Sequence, residues 1–385
     1  MKNKLSYLAS LKITVVGLLL LALQTLWGTF YQIENGLYQA QQHIFNPWIA
    51  WVGGYIPVPG TKLVLWVLTI NLVAATFFRL KWSWSKLGIL IIHAGLILLM
   101  VSGGVTYYFA QESHLTLEEG EGRNTISDYH QWELAIWKKN QSTDTVLRKV
   151  EALDFTLLDT LKKQELTLKS HPLKLKVLQK YSHSAAYTST TALPWNKPRN
   201  GSNLYGIESR HPNKDPAQDL PGLLLEVVGN DLNNPGKRGI QVLLYGADKA
   251  EADVPVGAET YQFSLRHKRT HLPFFIRLDD FHTEDHPGTS VARKYESWVT
   301  LVTGPLSRKI KIHMNHPLRE GGYTFFQASF SQSNQGQTST LAVVKNPGRL
   351  LPYLSSLLVG LGLCIHFLIK FKKAFTRPLQ NGKTA

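Results

Sequence analysis

The sequence predicts a membrane protein of four transmembrane α-helices with one large β-rich extracytoplasmic domain. Three observations lead there. The chain holds four long apolar stretches free of Asp, Glu, Lys and Arg; Lys and Arg gather on one side of them; and the long segment between the third and fourth stretches is built of short alternating runs.

A helix needs about 20 mostly apolar residues to cross the hydrocarbon core. The four stretches place helices over about residues 13–31, 63–80, 87–110 and 350–370, the second being short and borrowing flanking residues. The first could also be read as a signal peptide. The residues after Leu23, QTLWGTFYQ, offer no small-x-small cleavage site, so it is taken as a retained helix.

Orientation follows from the basic residues, because cytoplasmic loops collect Lys and Arg. Lys2, Lys4 and Lys12 precede the first helix; Arg79, Lys81 and Lys86 join the second to the third; Lys370, Lys372, Lys373, Arg377 and Lys383 follow the fourth, the last within a basic tail over 371–385. These segments account for +11 of the net charge of +15. The basic balance is therefore a sign of topology and not of nucleic-acid binding. Both termini are expected in the cytoplasm of a bacterium, with residues 32–61 and 111–349 outside the cytoplasmic membrane. Trp27, Tyr31, Trp48, Trp51, Tyr55, Tyr107 and Tyr108 form the aromatic belt beside them.

The outer segment reads as strands. HPLKLKVLQ alternates Leu173, Leu175 and Val177 with Lys174 and Lys176, and LLLEVVG, RGIQVLLYG, YQFSLRH, FFIRLDDF and ESWVTLV are further short runs. Residues 194–221, rich in Asn, Pro and Gly, read as a long loop or a boundary between two β lobes. The one cysteine, Cys364, lies in the fourth helix, so the outer domain has no disulfide; without CxxC or CxxCH the chain is neither its own thiol reductant nor a carrier of covalent haem.

Two ionisable residues lie within the apolar helices, where such groups are costly and become functional candidates. His93, in LGILIIHAGLILLMVSGG, sits six residues past Leu87, about 9 Å in from the cytoplasmic end. A neutral imidazole there can bond a neighbouring helix, relay protons or hold a haem iron. Gly88 and Gly95, seven apart on one face, admit close approach of a helix or a flat porphyrin. His366, four residues before Lys370, lies at a similar depth and is read either as a snorkelling interfacial residue or as an alternative second ligand. In the outer domain His267 and His271, His282 and His286, and His313 and His316 invite a metal reading. That spacing gathers ligands on a helix, however, and these pairs lie in or beside expected strands, which points to a solvated β surface and no metal apart from haem iron. No GxSxG, P-loop, HExxH or dinucleotide-binding glycines appear, so no catalytic residue is assigned.

LASLKITVVGLLLLALQTLWGT at the start, IIHAGLILLMVSGG in the third helix, PFFIRLDDF followed by KYESWVTL, NHPLREGGYTFFQASF, and a single last helix after KNPGRL together resemble ResB, the CcsB-type subunit of system II cytochrome c biogenesis. The similarity runs in order along nearly the whole chain and fades between about 140 and 253. It implies a haem export and attachment complex with a CcsA-type (ResC) membrane partner, an apocytochrome c as substrate and a thioredoxin-like thiol reductant as a further partner. It also implies that His93 is an axial ligand of haem b held transiently in the membrane, opposite a histidine of the partner. The WWD signature of that partner is absent here, so the chain is expected to be half of a holocytochrome c synthase and inactive alone. Two other classes stay open: a haem-free assembly scaffold and a membrane b-type haem electron carrier.

Overall fold

The computed structural model describes residues 7–139, 150–159, 165–188, 204–229, 239–246, 251–289, 292–333 and 336–375. It divides into two units, Met1–Gln111 with Lys345–Ala385, and Glu112–Val344. Lys2, Lys4, Arg377 and Lys383, used above for orientation, lie outside the described residues, as do residues 194–203 of the expected loop.

The first unit holds helices α1 (Leu11–Ala40), α2 (Thr61–Ala74), α3 (Leu87–Phe109) and α4 (Leu351–Phe375), and all four apolar segments are long enough to span a membrane. α1 runs nine residues beyond the expected end at Tyr31. Glu34 ends the apolar count but not the helix, because the fully buried Ala40 and Ile44 continue an inward face; Gly36, at φ 82°, marks a kink between two helical pieces. A short hairpin follows, β1 (Ile49–Val52) and β2 (Ile56–Pro59). Its turn passes through Gly53 and Gly54, both at positive φ.

Polar side chains bind these helices together. Asn71 of α2 is almost fully buried, receives the Thr14 hydroxyl at 2.7 Å and donates to the carbonyls of Leu8 and Ser10. Gln24 of α1 donates to the Pro59 carbonyl and accepts from Thr61 at 3.0 Å. Such bonds between apolar helices each contribute about 0.6–2 kcal/mol. Lys62, at the start of α2, sits over the rings of Trp48, Tyr107 and Tyr108 at 4.8–5.3 Å, so part of the expected aromatic belt also houses a cation.

Among the described residues the second unit is built of strands, with two short 3-10 turns at Thr156–Asp159 and Pro216–Gln218. Its strands are β3 (Gln111–Glu118), β4 (Gly122–Lys138), β5 (Glu151–Asp154), β6 (Glu165–Thr167), β7 (Leu173–Tyr181), β8 (Ser184–Thr188), β9 (Leu204–Ser209), β10 (Gly222–Gly229), β11 (Ile240–Tyr245), β12 (Ala252–Val256), β13 (Glu259–Asp285), β14 (Ala292–Thr303), β15 (Leu306–His313), β16 (Leu318–Glu320), β17 (Tyr323–Ser333) and β18 (Gly336–Lys345). The largest sheet has the order β15-β14-β13-β4-β3-β18-β17-β16, with β12 added on β13 and β5 on β4. β11-β10-β7-β6 form a second sheet, and β8-β9 a small third.

Two cores result. Leu134, Ile136, Phe263 and Leu265 join Leu173, Leu175, Leu223, Leu225 and Val242 in the first; Leu115, Leu117, Ile276, Leu278, Val299, Leu301 and Phe325 build the second. β4 and β13 contribute to both. Along β13 the buried positions change from odd numbers (Tyr261, Phe263, Leu265) to even ones (Leu272, Phe274, Ile276, Leu278), so the strand serves one core and then the other. YQFSLRH and FFIRLDDF, read from the sequence as two short runs, are parts of this one strand, with Pro273 between them. The proline is tolerated because Pro273 falls where the β4 ladder shifts register, between His271 and Ile276. The expected long loop over 194–221 is likewise corrected: its described part contains β9, which pairs antiparallel with β8 and packs Leu204 and Ile207 inward.

Candidate functional site

The geometry of α3 separates two faces. On one, Gly88 and Gly95 lie against the backbone of α4: a Cβ on Gly88 would come within 2.5 Å of the His366 backbone nitrogen, and one on Gly95 within 2.7 Å of Val359. Gly362 of α4 answers with the same closeness to Ile92 and Gly88. Small residues on both partners let the two backbones touch, the usual device of helix pairs in lipid. The space at the two glycines is thus occupied by a helix.

His93 lies on another face, about 100° around the helix from Ile92. Its Nδ1 is 3.0 Å from Oγ1 of Thr76, in the turn that closes α2. The Thr76 hydroxyl donates its single proton to the carbonyl of Leu72 at 2.8 Å, so toward His93 the oxygen acts as acceptor. The proton of the neutral ring is thereby assigned to Nδ1, and Nε2 keeps a lone pair with no hydrogen-bond donor among the described residues. An imidazole pinned through one nitrogen, with the other free, is how a protein prepares a metal-ligating histidine.

His366 is level with Gly88, about 7.5 Å along the helix from the level of His93. Its ring packs beside Phe367, at 5.9 Å between centroids. The structure does not bring the two intramembrane imidazoles together, although their similar counted depths had allowed it.

In the β unit the sequence pairs are rearranged. His267 faces Trp132, ring centroids 3.9 Å apart, and His114 of β3, 5.9 Å away, with Tyr129 against His114 at 5.0 Å. Burial, the larger effect, keeps both imidazoles below the ordinary histidine range, and each also feels charged or ionisable neighbours, so both are neutral at pH 7. His282 lies 3.7 Å from Glu284, and His313 and His316 stack at 4.2 Å across a tight turn in which Asn315 takes φ 65°. Among the described residues no group of three or more His, Cys, Asp or Glu converges as a metal site. The NHPLREGGYTFFQASF stretch shapes the chain: Asn315 turns β15 toward β16, Gly321 and Gly322 at positive φ turn β16 into β17, and Gln327 bonds Ser297 and Ser339 inside the sheet.

The fold defines a membrane protein with four helices long and apolar enough to span a bilayer and a β-rich domain. Residues 244–340 match the model of the ResB-like family, so the resemblance read from the sequence is shown over that segment. The chain is also 24% identical over 347 residues to Protein NrfI of Wolinella succinogenes, which covers 90% of this chain. It spans about a third of the length of that relative, 33%. The family match includes the paired turns and the long strand β13; His93, Gly88 and Gly95 lie outside it. Thr76 was missed by sequence reasoning, because a threonine in an apolar run carries no mark of its partner.

Proposed function

We propose that this chain acts in cytochrome c biogenesis, as the ResB-like subunit of a system II complex that moves haem outward and attaches it to apocytochrome c with a CcsA-type partner. The observation that carries the reading is the His93–Thr76 bond, which leaves Nε2 free in an apolar helix. Haem b is the cargo, and it fits this donor: a neutral Nδ1-protonated imidazole supplies one axial ligand. The second comes from the partner, since the backbone of His366 is level with Gly88, about 7.5 Å along the helix from the level of His93. The match to the ResB-like family and the similarity to NrfI support the same role. The distribution of Lys and Arg supports an orientation with the termini in the bacterial cytoplasm and the β domain outside the inner membrane.

A bond from His93 to Thr76 would also serve a helix-packing histidine in a haem-free scaffold. Expression of the full chain with and without a CcsA-type partner separates the readings. A synthase subunit acquires haem, with the low-spin spectrum of two nitrogen ligands, only with the partner. An electron carrier holds haem alone, and a scaffold never holds it; either result would refute the proposal.

A further inference from the structure

A cavity of about 1000 Å3 opens in the β unit where the chain passes from one core to the other. Its origin is a mismatch in the β4–β13 ladder: Trp132 pairs with His267 and Ser127 with Arg269, so five steps of β4 lie opposite two of β13. Asp128 holds the excess residues in place by accepting from the backbone amides of His130 and Gln131, both at 2.8 Å. The mismatch turns side chains out of the ladder and leaves room between them.

The lining combines flat apolar surface with positive charge. Trp132 is fixed between His267 on one face and Gly246, whose missing side chain leaves space for the indole edge. Arg266 lies 5.6 Å over Trp137 and bonds Glu133 at 2.9 Å, and Arg123 is bonded to Glu121. Arg269 makes no ion pair with any described residue. Its side chain is exposed to solvent, yet desolvation by the groups crowded around it and then repulsion from Arg266 and Arg123 bring its pKa down to about 10. It is charged at pH 7 all the same, and Glu133 and Glu251 in the wall compensate it only in part. An anion beside Arg269 would relieve that repulsion, and Ser127, its register partner on β4, offers a hydroxyl.

We infer that this cavity binds a flat, apolar ligand that carries carboxylates, its body against Trp132 and a carboxylate on Arg269. The volume lies at the upper end of the usual range of about 300–1000 Å3 for small-molecule sites. The choice of porphyrins as the ligand class rests on the function proposed above; the preference for a carboxylate rests on the cavity alone.

Metal-free mesoporphyrin, which His93 cannot ligate, tests this site separately from the intramembrane one. It is titrated by fluorescence against the full chain in detergent micelles, with empty micelles as blank and its dimethyl ester as a ligand without carboxylates. The wild type is expected to bind the free acid saturably and at least about tenfold more tightly than the ester. Arg269→Gln should abolish that preference, Arg269→Lys should retain part of it, and Lys309→Gln, an exposed charge on β15 away from the cavity, should leave it intact. His93→Gly should not change it, even though the function proposed above predicts loss of haem from that variant. Equal binding of acid and ester by the wild type overturns the inference without recourse to any variant. So does a preference that survives in folded Arg269→Gln.

Discussion

Thr76 has one hydroxyl proton, and when it goes to the Leu72 carbonyl the bond to His93 runs from the imidazole to the threonine. That direction fixes the tautomer and orients the ring, two properties on which ligand strength depends. Thr76→Val keeps the shape and removes the acceptor. Haem retention of the complex should fall about 10–100-fold, with a shifted midpoint potential, while Thr76→Ser restores both. Equal retention and potential in all three proteins would mean that the bond only packs helices. In the β unit, the Glu296 carboxylate sits between Lys311 at 2.8 Å and Lys294 at 3.0 Å, and its pKa is held below the usual value first by Lys311. A depressed folded-state pKa adds stability above the unfolded value near 4.3, and that contribution is lost as pH falls through the folded one. Lys311→Met should therefore destabilise β14 and β15 by about 1–3 kcal/mol at pH 7, measured by amide exchange, and the difference should shrink below about pH 4.

Among the elements, α3 and α4 depend on absent side chains. Gly88→Leu would drive a Cβ to 2.5 Å from the His366 backbone, whereas Gly360 has open space around it and should accept alanine. Thermal unfolding in detergent should show Gly88→Leu less stable by about 1–3 kcal/mol and Gly360→Ala close to wild type. Equal stability of the two would contradict the packing described. The helices were legible because apolar length is a one-dimensional property, and β7 was legible because Leu173, Leu175 and Val177 alternate with lysines. β13 was not recognised as one strand, because the change of buried face in its middle scrambles the alternation and Pro273 imitates a break. The partners of His93 and His267 were hidden for a related reason. Thr76 and His114 are neighbours only after folding, and nothing in their local sequence records it.

At the scale of the whole molecule, the apolar helices carry two histidines, His93 and His366, and the function proposed here divides the labour between His93, which holds haem, and a partner, which completes the site. This division assigns the second axial ligand to a partner, and His366→Ala offers a check. In the complex that variant should keep the low-spin spectrum, because His366 is level with Gly88 and not with His93. Loss of the spectrum in a folded, inserted protein would place both ligands on this chain. The most direct test of the account is the haem content and absorption spectrum of His93→Gly co-expressed with a CcsA-type partner. Haem and cytochrome c maturation should both be lost, and external imidazole, filling the vacated position, should restore them. Haem content and spectrum unchanged from wild type would contradict the assignment of His93 as the ligand.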